Sequence, residues 1–239
     1  PYGAFHQNGN TTLSANITNV STTPISVAST TGFPSSGWLL IGSEIISYTT
    51  KTATTFDGTV TRGVFGTTNV AHTAGAAITE VQGTGSPTTI GTVLFNNTDY
   101  SNGVYASADY SKVYFDNAGI YNLQFSVQLL NYTSAEDNVT VWFRINGVDI
   151  PASASIAEVP PKHGTAPGAY IMAYNIFQQV AANDYIQVEW TSNTGNTIVA
   201  TYPAGTPSAP RRRGGACSSI QPTYTLYALC APSTSFRFA

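Results

Sequence analysis

Apolar and polar positions alternate most cleanly within residues 113–130, VYFDNAGIYNLQFSVQLL. Tyr121, Leu123, Phe125, Val127 and Leu129 fall on one side of an extended chain, and Asn122, Gln124, Ser126 and Gln128 fall on the other. Successive strand side chains face opposite sides of a sheet, so the spacing predicts a half-buried antiparallel strand. At about 100° per residue the same apolar set would scatter around a helix and form no stripe. Comparable runs follow. Val139, Val141, Phe143 and Ile145 alternate with Thr140, Trp142 and Arg144, and Asn146-Gly147 then gives the strongest short hairpin signal. Ile186, Val188 and Trp190 alternate with Gln187 and Glu189; residues 197–202 and 223–229 complete the set. Eight to ten such strands imply two packed antiparallel sheets.

Residues 170–180 break the pattern by being apolar on both faces, with Tyr170, Met172, Tyr174 and Ile176 on one and Ile171, Ala173 and Phe177 on the other. A second sheet covers one face of a sandwich strand, so the other face calls for a cover of its own. A neighbouring subunit meets that need, with Tyr170, Met172, Tyr174 and Ile176 as interface candidates and Tyr224 and Tyr227 of the closing strand beside them. The alternative is a lid from the chain's own loop, 151–168.

The first third of the chain has shorter elements. Leu13, Ala15 and Ile17 alternate, a GFPSSG turn spans residues 32–37, and apolar runs at 38–41 and 44–48 are split by Gly42-Ser43. With a turn at Phe56-Asp57-Gly58 and a last run at 76–81, residues 12–82 predict a small β-barrel or sandwich, marginal alone and docked on something. Residues 83–92, GTGSPTTIGT, have the composition of a linker and mark a domain boundary before a second unit, 93–231. Residues 1–11 form an arm without periodicity and 232–239 a tail; both are expected to be held by neighbouring subunits or partner proteins.

Composition adds two constraints. Only 9% of the 239 residues are charged, against roughly 25% in an ordinary domain, so Ser, Thr, Asn and Gln must keep the outer faces wet. The net charge of −3 gives no reason to expect nucleic acid, and the one basic run, Arg211 to Arg213, sits in a Pro/Gly loop. No run is long and apolar enough to span a bilayer. The chain starts at Pro1 without a signal-peptide layout, which predicts removal of an initiator Met and synthesis in a cytoplasm. Cys217 and Cys230 would lie far apart if 221–229 is one strand, which favours two free, buried thiols over an intrachain bridge, with a bond between subunits as the alternative.

Two resemblances rest on ordered motifs. The series TTLSANITNVSTTPISVASTTGFPSSGWLLIGSEIISYTT, TFDG, TRGVFGTTNVAH and GAAI resembles a small β domain of structural and tail-associated proteins of tailed bacteriophages. The matching pieces are the GFP turn, Gly42 to Thr49, Thr61-Arg62-Gly63, and His72 followed by Gly75-Ala76. Residues 93–231 resemble the jelly roll of the C1q and tumour necrosis factor superfamily. Phe115, Gly119, Tyr121 and Phe125 match that family's aromatic, glycine, Y-x-F-x-F pattern, and Phe143 to Gly147 match its strand ending in Asn-Gly. Asn183-Asp184-Tyr185-Ile186 matches a Gly-Asp-x-Val/Ile step, with asparagine, which also tolerates a left-handed backbone, in place of the usual glycine. The resemblance implies a homotrimer. No collagen-like stalk precedes the domain, which argues against a complement-type secreted protein.

Candidate chemistry is sparse. His6, His72 and His163 fall in separate segments without ligand spacing, and no G-x-S-x-G or phosphate-binding glycine loop is present. The expected fold is therefore all-β, a small N-terminal barrel or sandwich followed by a C1q/TNF-like antiparallel jelly roll, trimeric and non-enzymatic, with no cofactor and no metal. The expected role is a virion structural protein, a capsid decoration, vertex or neck component whose partners are its own copies and other capsid or tail subunits. The alternative is a tail fibre or receptor-binding protein that contacts a host glycan through Trp142, Tyr202, Arg211, Arg212 and Arg213. A third reading, a secreted C1q-like module, is kept open by six N-x-S/T sequons.

Overall fold

The computed structural model describes residues 1–22 and 24–200, together with the backbone of Ala228–Leu229. The alternating run becomes the 13-residue strand Gly119–Asn131. It pairs antiparallel along its whole length with Gly168–Val180, from Gly119 opposite Val180 to Asn131 opposite Gly168. Its predicted inner row, Tyr121 to Leu129, is buried throughout. A second sheet, built on Asp137–Ile145, Tyr185–Ser192, Val113–Phe115 and Ser155–Val159, lies across that row. Phe125 meets Phe143 edge-on, with ring centroids 6.2 Å apart, and Val139, Val141, Ile186, Val188 and Trp190 fill the space around them. The described residues are all-β; their one helical turn is the 3-10 piece Val64–Gly66.

Turn chemistry follows the sequence closely. Asn146 and Gly147 adopt φ of 50° and 79°, the left-handed pair that a two-residue hairpin requires. Asn183 sits at φ 68°, so the left-handed step is made by asparagine as expected.

The N-terminal arm is a correction. Tyr2–His6 is a strand of the chain's own sandwich, paired with Asn97–Asn102, and Phe5 is fully buried in the same core as Phe125. No neighbour is needed to hold it. Its sequence hides the strand because a register shift between Ala4 and Phe5 turns two adjacent side chains inward and removes the alternation.

Residues 12–82 fold around a hairpin, Gly37–Ile41 with Glu44–Tyr48, flanked by Ala77–Gly83. Leu39, Ile41, Ile46 and Ile78 pack against Leu13, Ile25, Val27 and Phe56, beside a small three-stranded sheet. This unit is not set apart by a free linker. Ala77–Gly83 also pairs with Thr197–Ala200, which pairs with the end of Gly119–Asn131, so one ten-stranded sheet runs through both halves. On its reverse face Leu40, Ile45 and Val81 from the first half meet Leu130, Ile198 and Ala200 from the second. Within the expected linker, residues 85–90 are exposed, but Gly91–Thr92 rejoins the second sheet opposite Trp190 and Glu189.

Candidate functional site

Three motif pieces of the first half converge on one carboxylate. Glu44, at the start of its strand, has no exposed side chain. Arg62 approaches it side-on, with Nε donating to Oε1 and Nη2 to Oε2, each at 2.7 Å. His72 Nε2 lies 2.8 Å from Oε2, and the backbone N–H groups of Gly63 and Val70 donate to the same carboxylate. The remaining guanidinium protons reach the carbonyls of Thr18 and Val70 at 2.6 and 2.7 Å. Burial works against the charge, but donation from Arg62, Val70 and His72 outweighs it and holds the Glu44 carboxyl below its ordinary value. With the Glu44 side chain wholly buried and Arg62 and His72 each 9% exposed, the cluster ties three loops together.

A second buried acid has the opposite character. Glu80, 1% exposed, accepts from Asn96 Nδ2 at 2.6 Å on Oε2, while Oε1 has no partner. Burial outweighs the hydrogen bonds and pushes its pKa up to about 8.

Trp142, the described glycan-contact candidate, is half-buried on the outer face of the second sheet. Its indole N–H donates to Asp149 Oδ1 at 2.8 Å, and Arg144 Nε donates to the same oxygen. Arg144 also reaches Glu189, which accepts from Thr92 Oγ1 at 2.8 Å and is 1% exposed, so Glu189 is covered by Gly91–Thr92 and is not on an open face. Burial raises the Glu189 pKa, whereas hydrogen bonds from Trp142 and Arg144 lower that of Asp149. Near the rim of this sheet Tyr105 stacks on Tyr114 at 5.4 Å and 13°, and Tyr114 leans on Tyr185 at 5.3 Å, a ladder set by cross-strand register.

The interface candidates are redistributed. Met172, Tyr174 and Ile176 point into the chain's own core, where the Tyr174 ring lies edge-on to Phe125 and Phe143. Tyr170 ends that inward row and is 42% exposed. The uncovered face is the other one, with Ile171 50%, Phe177 72% and, on the paired strand, Ile120 56% exposed. Both rows are apolar, so composition could not say which one faces inward; the pairing of Asn122 with Phe177 decides it. Tyr202, Arg211, Arg212, Arg213, Cys217, Tyr224, Tyr227 and Cys230 lie outside the described residues.

No protein-family model matches this chain, and no curated protein matches it. Among the described residues no group of three or more His, Cys, Asp or Glu side chains is placed to hold a metal ion, and no helix is long and apolar enough to cross a membrane.

Proposed function

We propose that this chain is a structural protein of a tailed-bacteriophage virion, its first half contributing to attachment and its second a jelly roll that associates into a homotrimer. The observation that carries the self-association is the uncovered row Ile120, Ile171 and Phe177 on Gly168–Val180 and its partner. Among the described residues Gly168–Val180 pairs only with Gly119–Asn131, so a 13-residue strand presents both a free edge and apolar side chains. Such an edge is a template for uncontrolled pairing unless another surface covers it. The particle assignment rests on the motif resemblances of residues 12–82 and 93–231. Analytical ultracentrifugation of the full chain tests the first part; a stable monomer at micromolar concentration removes it. Copy number in purified particles tests the second, with many tens per virion expected of a shell component.

A receptor-binding role for the second half is the alternative. The Tyr105–Tyr114–Tyr185 ladder, exposed at Tyr105 and half-buried at the other two rings, favours it, because flat aromatic faces with hydroxyl tips are suited to mixed apolar and polar contacts. A handful of copies per particle, confined to the tail, is the outcome that selects this reading.

A further inference from the structure

Trp38 stands between two hollows at the junction of the two halves, with Ser36 and Gly37 on their common rim. The larger, about 500 Å³, is walled by Trp38 and Phe65, with Ser47 and Asn196 among its polar groups. The smaller, about 140 Å³, brings together Glu80, Gln82, Thr92, Trp38 and Trp190. Two residues of its lining each carry a buried group without a hydrogen-bond partner, Trp190 Nε1 and Glu80 Oε1, and both residues are 1% exposed. Leaving such groups unpaired in a dry interior is costly, so a fold that keeps two of them at one hollow calls for an explanation.

Glycine backbone packs closely against the aromatic residues that line both hollows. Gly91 lies against the indole nitrogen; a Cβ there would come to 2.8 Å from Trp190 Nε1. Phe65 is held at φ 56°, a conformation costly for an aromatic residue, and its ring lies on Gly83 where no side chain would fit. That placement brings Phe65 edge-on to Trp38 at 5.6 Å and fixes the aromatic wall.

We propose that this cleft binds a neutral polyhydroxylated ligand, with one sugar ring seated beside Trp38 and its hydroxyls on Trp190 Nε1 and Glu80 Oε1. A hydroxyl both donates and accepts, so a single chemical group serves the indole donor and the carboxyl oxygen alike. An ammonium would meet in Glu80 a carboxyl that burial holds neutral and would leave the Trp190 N–H unmatched. An anion would find no cation, since Glu80 is the one ionisable residue in the smaller hollow's lining. The groups that act on that carboxyl are Asn96 Nδ2, Gln7, the Gly9 backbone and the Lys51 charge, with the Tyr48 hydroxyl also coupled to it; burial prevails over them and leaves the acid neutral near neutral pH. Further rings of an oligosaccharide would extend along Trp38 and Phe65 in the larger hollow. The inference stands on the cleft alone and does not depend on the particle assignment.

The test uses the full chain with a panel of neutral mono- and oligosaccharides, read by saturation-transfer NMR and by tryptophan fluorescence. Saturable binding by at least one sugar is expected, weakened about tenfold or more by Glu80→Gln, which keeps the side-chain shape but changes the hydrogen-bonding group. Ser36→Trp, at the exposed rim, plugs the entrance without touching either core and is expected to abolish binding while the thermal unfolding curve stays in place. Absence of saturable binding up to tens of millimolar overturns the proposal and leaves a cavity that holds ordered water only. Binding that survives both substitutions overturns it too, by placing the sugar elsewhere. Choline binding in place of sugars rejects the neutral ligand class.

Discussion

The first half of the chain keeps Glu44, Arg62, His72 and Glu80 inside a core of short strands, whereas the sandwich interior of the second half is made of rings and aliphatic side chains from Phe95 to Trp190. The buried acids of the second half sit at its margins, Asp137 under the hydroxyls of Ser192 and Thr197 and Glu189 under Thr92. Strand length explains the contrast. Strands of 13 residues fix their own register through many paired positions, as Gly119–Asn131 and Gly168–Val180 do. The first half relies on strands of two to seven residues with long loops between them, and the Glu44 cluster joins the loops that contain Thr18, Arg62 and Val70. Buried ion pairs of this kind add specificity more readily than net stability, and losing one partner is what makes them costly.

Four experiments put that contrast to the test. Phe125→Ala should cost about 4 kcal/mol in denaturant unfolding, because it empties the space between Phe143 and Tyr174. Since one sheet spans both halves, fluorescence from the first half should be lost in the same transition; an unshifted separate transition would refute the continuity. Arg62→Met should cost about 3–4 kcal/mol by leaving the Glu44 carboxylate buried without its main partner, and a loss below about 1 kcal/mol would mean the cluster does not hold the first half.

The two acids of the first half should also give opposite pH dependences. Glu80 carries a folded pKa of about 8 against an ordinary 4.5, so the folded state binds the extra proton between those values and stability declines as pH rises through that window. The decline should be on the order of 3 kcal/mol from pH 5 to pH 8 and should vanish in Glu80→Gln. Glu44 and Asp137 are depressed, so their contribution is complete above the ordinary carboxylate range and is lost as pH falls through their lowered values. Chemical denaturation across pH checks both limbs; a slope that persists in Glu80→Gln assigns it to another group. Phe177→Ser should change monomer stability by no more than about 0.5 kcal/mol, given its 72% exposure, yet shift the sedimentation coefficient toward the monomer. An unchanged assembly would remove this face from the contact.

Much of the second half was legible because its chemistry is local. The row Tyr121 to Leu129, the Asn146-Gly147 hairpin and the left-handed Asn183 each follow from residues next to one another, and all three appear in the structure. Tyr2–His6 was illegible because a bulge erased its alternation. The Glu44 cluster was illegible for another reason: Arg62 and His72 stand 18 and 28 residues from the acid, and no periodicity links residues of different loops. Trp38, Glu80 and Trp190 went unmarked likewise, although a lone acid in the run AITEV was a signal that something polar had to meet it.

From the sequence alone came the all-β character, the left-handed turns at Asn146-Gly147 and Asn183 and the inner row of Gly119–Asn131, since these depend on the two-residue period and on backbone preferences at single positions. Tertiary structure alone decided which row of Gly168–Val180 faces water and that the first and last described strands close one sheet with the middle of the chain. It alone brought Trp38 and Trp190 to one cleft. Those outcomes depend on long-range pairing, where register and the filling of a shared core select among patterns that are equally apolar when written as a line.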